Sequence, residues 1–255
     1  MEIGMMNNPF NSVYDEVEFC GSLGFDFLDL TLEGPGAATV DVKRLGTLLG
    51  AHGLGITGHT DPCLPYAYPV QGIRRACFGE LERCARIFAS LGARVMNIHP
   101  CYAAPPAMKK ELVQFHLEVL PPLVEMAESH GLTLVLENYR APFDRVEVFG
   151  RLLEEMPKLA LHLDLGHTNF GRDGHDLFCR ALGDRIAHVH FSDNRARFDD
   201  HLPLGVGNVD WEGAVKALKA TGYDGTITLE IFCDDPAMKA SYLRLSRDRV
   251  RAIWD

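Results

Sequence analysis

The chain has 255 residues, of which 47% are hydrophobic and 24% are charged, and its formal net charge is -10 at pH 7. This composition excludes a disordered or collagen-like chain, and the acidic balance argues mildly against a nucleic-acid partner because phosphate binding depends on basic surface. The length suits one domain over residues 1–255, since single α/β barrels occupy about 200 to 250 residues.

Cysteine usage and the N-terminal residues bear on where the protein works. The seven cysteines include no Cys-x-x-Cys pair, which favours a reducing compartment. No basic N-terminal region leads into an apolar segment, and no apolar run approaches about 18 residues. We therefore expect a cytoplasmic protein that does not bind membranes.

Short apolar runs alternate with helical patterns along the whole chain. The predicted strands are 3–6, 25–32, 55–59, 95–99, 132–137, 159–165, 186–191 and 226–232. The predicted helices are at about 12–23, 40–52, 70–91, 107–130, 144–155, 175–182, 211–220 and 237–253. Strands that alternate with helices pair in parallel through right-handed crossovers. Eight such units predict an α/β fold, a single (β/α)8 TIM barrel. An open doubly wound sheet is the alternative, but no Gly-x-Gly-x-x-Gly follows the first strand.

Histidine and carboxylate residues recur where the predicted strands end. Active sites of barrels lie at the carboxyl ends of the strands, so we expect these side chains to converge. The strand ends and the loop after the seventh strand supply nine candidate ligands: His59, His99, Glu137, Asp164, His167, His190, Asp199, His201 and Glu230. Zinc and manganese bind imidazole and carboxylate groups. Nine ligands exceed the needs of one ion, so either two or three ions bind, or one binds and the remaining groups contact substrate.

The other histidines are expected to have structural or surface positions. His162 and His188 lie two residues before strand-end ligands, so they share the same faces deeper in the barrel. We expect both to be hydrogen-bonded core histidines. The histidines expected at the surface, on helices or loops, are His52, His116, His130 and His175.

Several short motifs carry these residues. They are Asn97-Ile-His99-Pro100, Leu136-Glu137-Asn138, Asp164-Leu-Gly-His167, His188-Val-His190-Phe-Ser-Asp193, His201-Leu-Pro-Leu-Gly205-Val-Gly207 and Leu229-Glu230. With them, the chain resembles the xylose isomerase-like barrel superfamily over essentially its whole length. That superfamily contains sugar and sugar-phosphate isomerases and epimerases, inosose dehydratases, and the endonuclease IV class of abasic-site nucleases, AP endonuclease family 2.

The resemblance implies two alternative sites. In the epimerase-like members, one divalent ion is held at the positions of Glu137, Asp164, His190 and Glu230, and His167 lies near the substrate hydroxyls. In the nuclease-like members, all nine positions together hold three zinc ions. The chain has a suitable residue at every one of the nine positions.

Three loop features count against the nuclease. Residues 33–39 offer no arginine or aromatic side chain that could enter an opened duplex. Pro62 occupies a position at which the nucleases share an aromatic residue. The 194–199 loop is also shorter than the corresponding loop of the nucleases. The basic residues expected near the site are Arg140, Arg172, Arg195 and Arg197. They suffice for one phosphate but are sparse for a duplex.

We therefore predict an isomerase or epimerase that depends on zinc or manganese and acts on a small sugar, sugar phosphate or polyol through a metal-stabilised enediolate. Glu137 and Glu230 would remove and return the proton. Asp164 and His190 would complete the metal shell, and the catalytic role of His167, or of an arginine, would be to orient the substrate oxygens. Asn138, Arg195 and Arg197 are the predicted substrate-binding residues. The alternative is a zinc-dependent phosphodiesterase with a multinuclear site. A third alternative, a degenerate barrel that serves as a binding protein, is disfavoured because so many reactive groups are retained.

Overall fold

The computed structural model describes residues 1–34 and 39–255. Its strands are β1 (Glu2–Met6), β2 (Phe27–Thr31), β3 (Gly55–His59), β4 (Val95–Ile98), β5 (Thr133–Glu137), β6 (Ala160–Asp164), β7 (Ile186–Phe191) and β8 (Thr226–Leu229). They form a closed barrel in sequence order, and every neighbouring pair is parallel, including β8 with β1. The TIM barrel prediction is confirmed.

The helices connect the strands around the outside of the barrel. They are α1 (Val13–Ser22), α2 (Val42–His52), α3 (Gln71–Ser90), α4 (Leu112–Ser129), α5 (Val146–Glu155), α6 (Leu165–Phe170), α7 (His175–Leu182), α8 (Trp211–Ala220) and α9 (Pro236–Trp254). Two 3₁₀ turns, Pro106–Glu111 and Gly183–Arg185, precede α4 and β7. Within the described ranges, no helix has the length and apolar character needed to span a membrane.

Some element boundaries differ from the prediction. The helix predicted from 107 begins as a 3₁₀ turn, and α4 then continues through Pro121 and Pro122. Helix α6, which follows β6 directly, is absent from the elements predicted above. The Asp164 side chain accepts a hydrogen bond from the His167 backbone N–H at 2.8 Å and so caps this helix. The helix is only six residues long, which is too short to show a helical periodicity in the sequence.

Apolar and polar residues alternate along three of the strands. The alternating triplets are Leu28-Asp29-Leu30, Leu161-His162-Leu163 and Val189-His190-Phe191, and all nine side chains are buried. Side chains two apart on a strand share a face, so one face of each strand is apolar and the other is polar. The polar faces meet inside the barrel, where Asp29 contacts His190. The barrel interior therefore leads directly into a polar site.

The surface position predicted for His116 is wrong, because its side chain is fully buried on α4. Its Nε2 accepts a hydrogen bond from the Cys101 backbone N–H at 3.0 Å, and its Nδ1 lies 2.7 Å from the Leu112 carbonyl oxygen. The segment after β4 covers this side of α4, which helical periodicity alone does not reveal. His52 is exposed, as predicted. His130 and His175, also expected at the surface, are half-buried.

Burial of His116 makes stability depend on pH. Burial lowers the pKa of His116 from its ordinary value of 6.5 to about 4. As pH falls, the unfolded chain therefore binds this proton before the folded chain does, and stability is lost between those two values. We expect His116 to account for about 2 kcal/mol of lost unfolding free energy between pH 7 and pH 5.

Denaturant unfolding at these two pH values tests this expectation. His116→Gln should lose about 2 kcal/mol less than the parent between the two pH values, whatever its absolute stability. His52→Gln is the matched control, because His52 is exposed, and it should show the parent's full loss. Equal losses in the parent and in His116→Gln would contradict the account.

Candidate functional site

The carboxyl ends of the strands bring the predicted ligands together. Possible ligand atoms of Glu137, Asp164 and His167 lie within 4.8 Å of one another, and the same holds for Asp164, His190 and Glu230. A third such group combines His59 with Glu137 and His190. Because Asp164 belongs to the first two groups, its carboxylate lies close to both glutamates. Strands β3, β5, β6 and β7, together with the residue after β8, thus form one continuous site.

Glu137 is buried beside one amide donor and two imidazole rings. Its Oε2 accepts a hydrogen bond from Asn97 Nδ2 at 2.8 Å and lies 3.1 Å from His99 Nε2 and 3.2 Å from His162 Nδ1. Burial would raise the pKa of Glu137, but its interactions with the neighbouring His99 and His162 rings outweigh burial and hold that pKa well below its usual range. The carboxylate is therefore ionised at neutral pH.

The two carboxylate oxygens of Asp164 differ in their hydrogen bonding. Its Oδ1 accepts the backbone N–H of His167, whereas its buried Oδ2 has no hydrogen-bond partner among residues 1–34 and 39–255. Burial raises the pKa of Asp164 to about 7. A buried carboxylate oxygen without a donor is costly unless a proton or a cation compensates it. Asp164 therefore has the environment expected of a metal ligand.

Asn138 lies beside Asp164 and positions its backbone. The Asn138 side chain accepts a hydrogen bond from the Asp164 N–H at 2.8 Å and donates one to the Asp164 carbonyl oxygen at 3.0 Å. The residue is buried, and its carbonyl oxygen lies 2.7 Å from His167 Nδ1. Asn138 thus aligns two predicted ligands, and its contact with substrate stays a prediction.

His190 and Glu230 form a second group of possible ligands with Asp164. His190 Nδ1 lies 3.1 Å from Glu230 Oε2, and His190 Nε2 lies 2.7 Å from Asp29 Oδ2. Burial would raise the pKa of Glu230, but His201 and His190 outweigh it and lower that pKa. Both glutamates are therefore anionic, and each has a carboxylate oxygen close to Asp164.

Two of the nine candidates, Asp199 and His201, form a cluster in the loop after β7 that contacts the same site. Asp199 Oδ2 is 2.8 Å from His167 Nε2 and 3.4 Å from His201 Nε2. Burial would lower the pKa of His167, but Asp164 and Asp199 raise it to about 10. The His167 ring is thus cationic and bridges the cluster to Asp164.

Asp193 holds the loop that carries this cluster. It exchanges backbone hydrogen bonds with Leu202 at 2.9 and 2.8 Å, and its side chain accepts the N–H groups of Gly205 at 2.7 Å and Val209 at 3.1 Å. A Cβ at Gly207 would lie 2.2 Å from the Asn194 carbonyl oxygen, so this close return of the chain requires glycine.

His59 and His99 complete the set of nine. His59 Nε2 lies 3.8 Å from Glu137 Oε2, and its ring stacks on His190 with centroids 5.6 Å apart. The rings of His59 and His99 meet edge to face at 4.9 Å. The structure therefore brings all nine predicted residues to one site.

The two deeper histidines differ from each other. His188 has the hydrogen bonds expected of a core histidine, to Thr226 at 2.7 Å and to Asp29 at 3.2 Å. His162 is fully buried, but neither of its ring nitrogens has a hydrogen-bond partner in the part of the chain that the structure describes. The expectation of a hydrogen-bonded His162 is therefore wrong, because its ring faces Glu137 instead.

Sequence reasoning missed two residues of the site. Asp29 is buried in the middle of β2, so it escaped a search of strand ends, although a lone carboxylate in the apolar run Phe27-Leu-Asp-Leu-Thr31 was a visible signal. Tyr139 follows Asn138, and its ring lies 4.6 Å from that of His167 and 6.5 Å from that of His99. Tyr139 supplies an aromatic wall beside the ligands.

The predicted basic residues lie at the rim. Arg140, Arg172, Arg195 and Arg197 are exposed, and the Arg140 guanidinium lies 4.7 Å from the centre of the Tyr139 ring. Of the residues described, no lysine or arginine pairs with a carboxylate among the nine; every ion pair there involves histidine. Pro62 is exposed, and residues 35–38 of the loop considered for duplex entry are outside the described residues.

The relatives of this chain among curated proteins include an uncharacterized protein and a sugar epimerase. An uncharacterized protein of Methanocaldococcus jannaschii is 30% identical over 173 residues, which is 63% of this chain and 56% of that protein, so the chain spans little more than half of it. The ketose 3-epimerase of Arthrobacter globiformis is 26% identical over 252 residues, 91% of this chain and 79% of the relative.

Structural comparison and a family model identify the fold family. The D-psicose 3-epimerase of Clostridium cellulolyticum H10 superposes with a TM-score of 0.85 at 17% identity, covering 100% of both chains. At that identity the likeness shows the fold alone. The family model described as xylose isomerase-like TIM barrel matches residues 17–252. The chain therefore belongs to the xylose isomerase-like TIM barrel family.

Proposed function

We propose that the protein is a divalent-metal-dependent sugar epimerase that moves a proton on the carbon beside a ketose carbonyl. The observation that carries this proposal is the buried Asp164 Oδ2, which lacks a donor among the described residues and belongs to groups of possible ligand atoms that include both Glu137 and Glu230. In this proposal, Glu137, Asp164, His190 and Glu230 hold one zinc or manganese ion. Three carboxylates and one imidazole suit either metal.

The metal and the protein have separate roles in the proposed chemistry. A bound divalent ion supplies a Lewis acid for charge on the carbonyl and neighbouring hydroxyl oxygens of the sugar. Glu137 and Glu230 are both ionised and each lies close to Asp164, so each could accept a proton from carbon. When one carboxylate removes the proton and the other returns a proton to the opposite face, the configuration at that carbon inverts.

Neighbouring side chains would orient the sugar. The cationic His167 is held by Asp199 and the Asn138 carbonyl oxygen, so its ring is fixed at the edge of the site. We assign it to the substrate oxygens, with Arg195 and Arg197 at the rim. Tyr139 would cover the apolar face of the sugar ring or chain and restrict water.

The names of the relatives support the substrate class. The curated ketose 3-epimerase aligns over 91% of this chain, which favours a ketose substrate and inversion at the third carbon. A second candidate function, zinc-dependent phosphodiester hydrolysis, rests on the convergence of all nine histidine and carboxylate residues. We place it second, because the curated relatives include sugar epimerases and the basic residues of the rim are few.

A product assay separates the two functions. Protein stripped with chelator and reloaded with manganese or zinc should convert members of a panel of free and phosphorylated ketoses to their third-carbon epimers, detected by chromatography and NMR. Chelated protein should be inactive. The epimerase proposal is wrong if the loaded protein leaves every ketose unchanged but cleaves a simple phosphodiester or an abasic-site duplex.

A further inference from the structure

Asp29 is a buried carboxylate outside the nine predicted ligands. We propose that it is a positioning residue, which fixes the His190 ring so that Nδ1 faces the metal position. This role rests on the proposed function, because it requires His190 to be a ligand. Nothing in the ligand motifs points to Asp29, which lies on β2, on a different strand from each of the four proposed ligands.

One oxygen of Asp29 receives three hydrogen bonds. Its Oδ2 lies 2.7 Å from His190 Nε2, 3.2 Å from His188 Nε2 and 2.8 Å from Thr228 Oγ1. The donors come from β7 and β8, so the contacts cross from one part of the barrel to another. The Asp29 side chain is almost completely buried, with 1% exposure. Its position is therefore fixed by packing as well as by hydrogen bonds.

The hydrogen-bond chemistry determines which His190 nitrogen is available. Asp29 Oδ2 accepts the Thr228 hydroxyl and is the oxygen that faces His190, so His190 Nε2 carries the hydrogen of its bond to Asp29. The remaining nitrogen, Nδ1, faces Glu230 Oε2 at 3.1 Å, and His190 belongs to the group that contains Asp164. Metal-binding histidines are commonly oriented in this way, by a carboxylate on the ring nitrogen that does not bind the metal.

The position of Asp29 also bears on whether three neighbouring histidines form a separate metal site. His162, His188 and His190 have nitrogens within 4.8 Å of one another, which could suggest a deeper metal site. However, Nε2 of both His188 and His190 is directed at Asp29 Oδ2, and His188 Nδ1 is bonded to Thr226. These three nitrogens are therefore engaged in hydrogen bonds. We interpret the group as packing that helps to hold His190, the proposed ligand, in place.

The test compares Asp29→Asn with Asp26→Asn. Asp26 is the control because it lies just before β2 but is exposed, and its carboxylate accepts the Ile3 N–H at 2.8 Å at the opposite end of the barrel. Chelator competition with manganese should show affinity about 10- to 100-fold weaker in Asp29→Asn and unchanged in Asp26→Asn. The cobalt absorption spectrum should change only in Asp29→Asn. Thermal unfolding of the metal-free proteins separates this effect from loss of folding.

A measurement on the parent protein does not depend on how the variant folds. With cadmium bound, NMR coupling between the metal and nitrogen should appear at Nδ1 of His190 and not at Nε2. Coupling at Nε2, or a folded Asp29→Asn that binds manganese as tightly as the parent, would overturn the positioning role alone. A parent that binds no metal and epimerises no ketose would overturn the proposed function and this role with it.

Discussion

Glu230→Gln should lower epimerase turnover by about 100- to 10,000-fold, the range that general acid–base catalysis contributes. The glutamine amide oxygen can still contact a metal ion, but it cannot accept a proton from carbon. The metal content should therefore stay near that of the parent. Turnover by NMR and metal content by elemental analysis, measured on the same preparations, check this expectation.

His59→Ala is the control for this experiment. His59 is buried and lies 3.8 Å from Glu137 Oε2, but it belongs only to the larger, nine-residue set. A site with one ion predicts that His59→Ala keeps far more activity than Glu230→Gln. Equal losses from both substitutions, with three ions per chain in the parent, would instead favour the phosphodiesterase.

Asp164→Ala should abolish measurable metal binding, with a loss larger than the roughly 100-fold cost of removing an outer-shell partner. The side chain supplies the buried oxygen for which the described residues offer no donor, and it is shared by two of the groups able to hold an ion. Protein purified without chelator should contain at least one zinc or manganese per chain. Elemental analysis and chelator competition measure both quantities.

Asp199→Asn distinguishes between one ion and several in the same assay. Asp199 contacts His167 and His201 but is outside the four proposed ligands. Asp199→Asn should leave the number of bound ions unchanged if the site holds one ion, and should lower that number if the site holds three. Retention of a full complement of metal by Asp164→Ala would contradict the assignment of this residue as a ligand.

The sequence predicts the strand ends better than the barrel interior. His59, Glu137 and His190 could be placed together without a structure because the carboxyl ends of parallel strands converge at one face of a barrel. The predicted limits of β3 and β7 match the structure. Each of these inferences needs only local periodicity and one rule about the fold.

Contacts across the barrel could not be predicted in the same way. Asp29 is 161 residues from His190 in sequence, and their contact depends on the closure and stagger of the strands. The burial of His116 depends likewise on the path of the chain after β4, which donates the Cys101 N–H to its ring. Sequence periodicity specifies which face of an element is apolar, but not which distant segment covers it.

Deuterium exchange tests the central claim that a proton is moved on carbon. In an epimerase that uses Glu137 and Glu230, one carboxylate removes the proton from carbon and the other returns a proton that it has exchanged with solvent. In deuterated water, the metal-loaded protein should place deuterium beside the carbonyl of its ketose substrate, and Glu230→Gln should abolish formation of the labelled epimer while metal remains. Formation of an epimer without any deuterium uptake, or metal-dependent phosphodiester cleavage with no exchange into any ketose, would contradict the account.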